Sequence, residues 1–146
     1  VLPHVKDDTD TQYAARWLLE HGYDEITMLG ALGGARLEHT LANLATGLYL
    51  AKNGVNVLLA DERSEIRFLV PERELVLHQG SWKYLSVFPM EGTLTGVCIR
   101  GAYYPLEGAS LTADYPLGVS NEFTSEAAQL SCTGGCGVVV LTCDDV

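Results

Sequence analysis

Basic residues are scarce in this chain: Lys and Arg number 9 against 19 Asp and Glu, for a formal net charge of −10. No run of Lys and Arg exists to release counterions from a phosphate backbone, so nucleic acid and anionic lipid surfaces are excluded as partners, and a nucleotide ligand needs Mg²⁺ alongside it. Long apolar runs are missing as well, and with them any stretch able to span a bilayer. The opening Val1-Leu2-Pro3-His4-Val5-Lys6-Asp7 lacks the basic-then-apolar order of a secretory signal, so the expected compartment is the cytoplasm. Cysteine is sparse and late. Of Cys98, Cys132, Cys136 and Cys143 only Cys132 and Cys136 are closely spaced, and no histidine follows His78, which leaves no zinc pattern. The four read as small apolar residues in a reduced compartment, with a redox or disulfide role as the alternative.

What is present is an ordinary globular composition, 47% hydrophobic and 19% charged over 146 residues, enough for one domain or two small ones. The front of the chain alternates helix and strand. Asp8 or Thr9 can cap a helix through Gln12, Ala14, Trp17, Leu18 and Leu19 that Gly22 stops. Residues 25–29 read as a short strand. Residues 39–52, with Leu41, Leu44, Leu48 and Leu50, read as a helix ended by Asn53-Gly54, and 55–60 as a buried strand. From Asp61 onward the texture changes to short β-branched and aromatic runs broken by Pro and Gly. Candidate strands there are 65–70, 74–78, 83–88, 95–100, 110–113, 127–132 and 137–142. The expected fold is α/β plus all-β: a partial parallel α/β half over 1–61, then an antiparallel β-sandwich over 62–146, packed directly without a linker or repeat. A chain that enters its first site motif so soon after Val1 leaves no room for the strand and helix expected before it. The α/β half is therefore expected to be truncated, and to lean on the β half, a partner chain or a missing N-terminal segment.

Two segments carry the chemistry, Lys6-Asp7-Asp8-Thr9-Asp10 and Gly30-Ala31-Leu32-Gly33-Gly34-Ala35-Arg36-Leu37-Glu38-His39. Each sits where a strand-like stretch gives way to a helix, at the sheet edge where open α/β folds bind ligands. Asp7, Asp8 and Asp10 suit a helix N-terminus, but a cap needs only one of them, and Mg²⁺ is held by one or two carboxylates together with substrate phosphates. The glycines permit a tight turn; the same segment also enters a helix whose N–H groups can receive phosphate, beside a guanidinium that can grip two oxygens. It is not a Walker A loop, since no Gly-Lys-Ser/Thr follows. His39 and Asn43 share one helix face. In the β half, Trp82, Tyr84, Tyr103, Tyr104 and Phe88 fit either a flat slot for an aromatic ligand or ordinary sandwich core, and Ser120-Asn121 fits a hydrogen-bonded ligand or a turn.

With these motifs in this order the chain resembles thiamine pyrophosphokinase, whose bacterial members carry Lys-Asp-Asp-Thr-Asp and then Gly-x-x-Gly-Gly-Arg-x-Asp-His. The resemblance continues through Tyr84 to Phe88, Tyr104-Pro105-Leu106 and Ser120-Asn121-Glu122-Phe123, and so covers nearly the whole chain. It implies a homodimeric enzyme that moves a pyrophosphoryl group from ATP to the hydroxyl of thiamine, with Mg²⁺, giving thiamine diphosphate and AMP. By the same resemblance Asp7 and Asp10 are metal ligands, with Asp10, Arg36 and Glu38 catalytic and Arg36, His39 and Asn43 on the nucleotide. Tyr104, Ser120 and Asn121 match the thiamine pocket, which in this family the partner subunit completes. Three departures stand out. Ala35 separates the glycine pair from Arg36, Glu38 replaces the usual Asp, and the family's earlier Asp-x-Asp-Ser segment has no counterpart, which implies a fragment that folds and binds thiamine but turns over slowly or not at all. The competing readings are a non-catalytic, dimerising thiamine-binding β-sandwich with a degenerate α/β remnant and, more weakly, a different nucleotide-dependent transferase using the same edge.

Overall fold

In the computed structural model, which describes residues 8–144, the first helix is set by Thr9. Its backbone is extended (φ −71°, ψ 159°), and its hydroxyl accepts the Gln12 amide at 3.0 Å, satisfying one of the open N–H groups of α1 (Asp10–Glu20). Gly22, at φ 82°, turns the chain out of the helix. Next come β1 (Glu25–Leu29), α2 (Leu37–Lys52) and β2 (Asn56–Ala60). β1 and β2 pair in parallel, Glu25 beside Asn56 and Leu29 beside Ala60, which requires the crossover that α2 supplies. α2 lies close on the sheet because Gly47 has no side chain: a Cβ there would stand 2.3 Å from the Phe68 ring.

Past Ala60 the chain reverses but stays in the same sheet. β3 (Ser64–Leu69) runs antiparallel to β2, with Ala60 opposite Glu65. The remaining strands are β4 (Leu75–His78), β5 (Tyr84–Arg100), β6 (Leu106–Leu111), β7 (Asn121–Glu122), β8 (Ala127–Ser131) and β9 (Gly134–Thr142). The order across the sheet is β1-β2-β3-β9-β5-β8-β4, with β6 and β7 also on β5. This is a mixed, curled sheet with two helices among the described residues.

The curl resides in β5. The two strands expected at 83–88 and 95–100 are one strand, which pairs with β9 from Tyr84 to Thr95 and with β6 and β8 further on. Pro89 and Gly92 bend it instead of ending it. Register shifts between Pro89 and Glu91 and between Glu91 and Thr95 absorb the missing N–H and the φ of 67° at Gly92.

Side-chain alternation divides the interior. Ile66 and Phe68 of β3 and Cys136 and Val138 of β9 point to the helices, joining Val57, Leu59 and Leu50. Leu69, Val139 and Leu141 point the other way, joining Leu85, Val87, Leu94, Ile99 and Leu130. β3 and β9 are therefore covered on both faces, which is why Val138 to Leu141 reads as an unbroken apolar run. The four cysteines are free, with Cys132 and Cys136 buried. No described helix is long and apolar enough to cross a membrane.

Candidate active site

The β1–α2 connection forms a loop with Gly30, Gly33 and Gly34 at φ 69°, 72° and 88°. L side chains rarely adopt these values, and nothing lies within 4 Å of where a Cβ would stand, so the backbone here is open to a ligand. α2 fixes the loop from below. Asn43 Nδ2 donates to the Ala31 carbonyl at 2.9 Å, and Thr40 Oγ1 donates to the Gly33 carbonyl at 3.2 Å. Thr46 Oγ1 in turn donates to Gln12 Oε1 at 2.8 Å, tying the start of α1 to the same helix. Thr40, Asn43 and Thr46 recur at three-residue spacing, so one polar row on α2 positions both the loop and the start of α1.

Two adjoining hollows result. One is lined by Thr9, Asp10, Thr11, His39, Ala42 and Asn43, with a volume of about 340 Å³. The other, about 420 Å³, is lined by the glycine loop, Arg36, Thr11, His39 and Asn43. Thr11, His39 and Asn43 belong to both, so Asp10 and Arg36 open onto one continuous cleft at the N-terminus of α2. Unpaired N–H groups and the helix dipole favour an anion there. Arg36 is the N-cap residue but makes no side-chain cap bond. Its Nε donates to Glu38 Oε1 at 2.7 Å, with the two side chains 66% and 62% exposed. A backbone N–H at its own position, and then the Arg36 guanidinium, hold the Glu38 carboxyl below the usual carboxylate range.

Of the expected metal ligands Asp7 and Asp10, Asp7 lies outside the described residues; the neighbouring Asp8 is ion-paired with Arg16. Among the described residues no group of three or more His, Cys, Asp and Glu could hold a metal. Among the described residues Asp10 is the carboxylate that lines the cleft, beside Thr9 and Thr11. Such an oxygen set fits Mg²⁺ delivered on phosphates, which asks for one or two carboxylates, and does not form a dedicated cage.

A separate apolar hollow of about 450 Å³ is lined by Ile99, Tyr104, Pro105, Leu106, Leu117, Gly118, Val119 and Asn121. Of the five aromatics that fitted either a slot or sandwich core, Tyr104 lines this hollow, with Tyr103 edge-on to it at 4.9 Å. Trp82 packs on the core, and Tyr84 lies at another cleft with its hydroxyl 3.1 Å from Asp144. Asn121, 6% exposed, clasps Tyr104: its Oδ1 accepts the Tyr104 and Glu122 amides at 2.8 and 3.0 Å, and its Nδ2 donates to the Tyr104 carbonyl at 2.8 Å. Ser120 is exposed, sits at φ 57°, and is not a lining residue; its N–H donates to Ser86 Oγ at 2.9 Å. Thr11 and Thr40 escaped the sequence reading. Their only signal is a position one turn from a motif residue on a helix face.

The comparisons with known proteins agree along the chain. Residues 2–59 match the family described as thiamin pyrophosphokinase, catalytic domain, and residues 72–136 match thiamin pyrophosphokinase, vitamin B1 binding domain. The thiamine pyrophosphokinase of Bacillus subtilis is 27% identical over 139 residues, 95% of this chain and 64% of that protein. Its crystal structure superposes with a TM-score of 0.88 over 97% of this chain and 65% of that one. A thiamin pyrophosphokinase family protein from Enterococcus faecalis is 30% identical with a TM-score of 0.81, over 99% of this chain and 68% of that one. The chain thus spans under two thirds of the length of the Bacillus subtilis protein.

Proposed function

Since the chain belongs to the thiamin pyrophosphokinase family, we propose that it takes part in that family's reaction, transfer of a pyrophosphoryl group from ATP to the hydroxyl of thiamine. The observation that supports this most is the opening of Asp10, Arg36 and the glycine loop onto one cleft at the start of α2. In this reading the loop amides and the first turn of α2 take the phosphate oxygens, with His39 beside them and Asn43 keeping the loop in shape. Arg36, held by Glu38, faces the charge that builds on the non-bridging oxygens. The thiamine hydroxyl oxygen bonds to the β-phosphorus, the bond from that phosphorus to the α-phosphate oxygen breaks, and AMP leaves. Asp10 orients the hydroxyl and receives its proton. Mg²⁺, when bound, neutralises charge on the triphosphate, and Asp10 with Asp7 would hold it.

The apolar hollow at Tyr104 is the proposed thiamine slot, held in shape by Asn121 with Ser120 exposed at its rim. Among the described residues none lines both it and the phosphate cleft, and Tyr103, Tyr104, Leu117 and Val119 around it are exposed. Both facts favour a homodimer in which one protomer's slot meets its partner's phosphate cleft. Residues 1–61 then act as the α/β nucleotide half and 62–146 as the β-sandwich thiamine half of a cytoplasmic enzyme.

The test is AMP release that requires ATP, thiamine and Mg²⁺ together. Asp10→Ala should abolish it, Arg36→Ala should lower kcat, and Ser120→Ala should raise KM for thiamine. Thiamine binding with no AMP formed would support a non-catalytic binding module instead.

A further inference from the structure

Thr46 lies well inside α2 and is 2% exposed; among the described residues it and Asn121 are the buried polar side chains. Valine would have the same shape with no polar group to satisfy, so the hydroxyl calls for a reason. It has one proton and two acceptors in reach, Gln12 Oε1 at 2.8 Å and the Ala42 carbonyl at 3.1 Å. The Ala42 carbonyl already receives a main-chain N–H along α2, and the shorter bond is the one that crosses to α1. Gln12 is the third residue of α1 behind a Thr cap, the place from which a Gln side chain in a capping box turns back onto the cap's own N–H. Here that side chain reaches over to the neighbouring helix.

We infer that Thr46 and Gln12 are positioning residues for Asp10: their bond fixes the start of α1 along α2, and with it the distance from the Asp10 carboxylate to the phosphate-binding loop. The inference rests on the role proposed for Asp10 above. Asp10 stands between two anchors. Thr9 Oγ1 accepts the Gln12 N–H at 3.0 Å, which closes the first turn of α1 around Asp10, and the Gln12 side chain ties that turn to Thr46. The loop is held by the same helix, through Thr40 on the Gly33 carbonyl and Asn43 on the Ala31 carbonyl. Both walls of the cleft are thereby referred to α2. Apolar packing is non-directional and tolerates a slip of one helical rise, about 1.5 Å, whereas a buried, satisfied hydrogen bond specifies a single register. A misplacement of about 1 Å at reacting groups can cost on the order of a hundredfold in rate. The hydroxyl of Thr46 thus does for the carboxylate what Thr40 and Asn43 do for the loop.

The experiment is steady-state AMP release, with a urea midpoint alongside, for the parent, Thr46→Val, Thr46→Ser and the double variant of Thr46→Val with Gln12→Met. Thr46→Val should lower kcat by about tenfold or more and leave KM for ATP within about twofold of the parent, because Thr40 and Asn43 still hold the loop. Thr46→Ser returns the hydroxyl and should return kcat. In the double variant neither partner is left stranded, so the urea midpoint should recover towards the parent while kcat stays low. That pairing separates positioning from a purely structural role. A double variant that regains kcat along with its midpoint overturns the inference, as does a Thr46→Val protein with the parent's kcat, or one whose loss lies in KM alone. The Ser and double variants decide it even where Thr46→Val fails to fold. A parent that releases no AMP overturns the catalytic reading itself, and this inference with it.

Discussion

Gly47→Ala is the substitution whose outcome the packing decides most directly. Two effects oppose each other. Alanine is the better helix former by about 1 kcal/mol in a helix interior such as this one. Its methyl, however, would sit 2.3 and 2.5 Å from two carbons of the Phe68 ring and 3.3 Å from Leu59 Cδ1. Phe68 is 4% exposed and packed among Ile66, Val138 and the helix, so its ring has no solvent to swing into. Overpacking of this kind costs about 1–3 kcal/mol, and contacts this short belong at the upper end. The net expectation is destabilisation by about 1–2 kcal/mol, or about 3–6 °C in Tm for a chain of this size. Urea denaturation and calorimetry of the parent, Gly47→Ala, Phe68→Leu and the double variant read it. Shortening the ring should make the two changes less than additive by about 1 kcal/mol. A Gly47→Ala protein more stable than the parent would refute the close seating of α2, and with it the reason its N-terminus reaches the sheet edge where it does.

Asn121→Ala should cost about 2–4 kcal/mol, because it strands the Tyr104 amide and carbonyl in a part-buried place; in a variant that still folds, thiamine affinity should fall with it. Burial pushes the Cys132 thiol up to about 11, and raises Cys136 as well. The buried thiol thus favours the folded state below its ordinary value of 9.0, and that contribution drains away as pH rises from 9.0 towards about 11, which urea titrations across this window would record. Native Cys132 should also resist iodoacetamide near neutral pH and react once unfolded. For Glu38, Arg36→Ala should raise the carboxyl pKa only part of the way to its ordinary range, since the backbone N–H that is the larger cause remains; carboxyl-detected NMR titration would follow it. The ion pair contributes above Glu38's unfolded pKa and is lost as pH falls through the lowered folded value.

Local elements were largely legible from residue pattern. The Thr9 cap, the helical recurrence of Trp17, Leu18 and Leu19, and the Glu25–Leu29 strand are short-range matters, and 137–142 declares its burial by composition. Strand order was not legible, because nothing near β9 in the sequence says that it pairs with both β3 and β5. Pro89 and Gly92 misled for a related reason: the same residues end a strand or bend one, depending on what lies across the ladder. At the site, the motifs marked the right stretch of chain without revealing what each side chain holds. Asn43 and Asn121 looked equally suited to a ligand, yet both spend amide hydrogen bonds on main-chain groups 12 and 17 residues away. An amide's partner is a fact of tertiary structure. Likewise, aromatic content alone could not separate Tyr104, which lines the slot, from Trp82, which packs on the core.

The order in which this sheet is synthesised differs from the order in which it is laid out. β9, which follows the other described strands in chain order, occupies an inner position, and it is the strand that hydrogen-bonds β3 on one side and β5 on the other. Until it arrives, the β1-β2-β3 ribbon and the strands gathered on β5 share no ladder, and each presents a raw inner edge to water and to neighbouring nascent chains. Removing β9 would not trim the sheet at its periphery. It would part it down the middle.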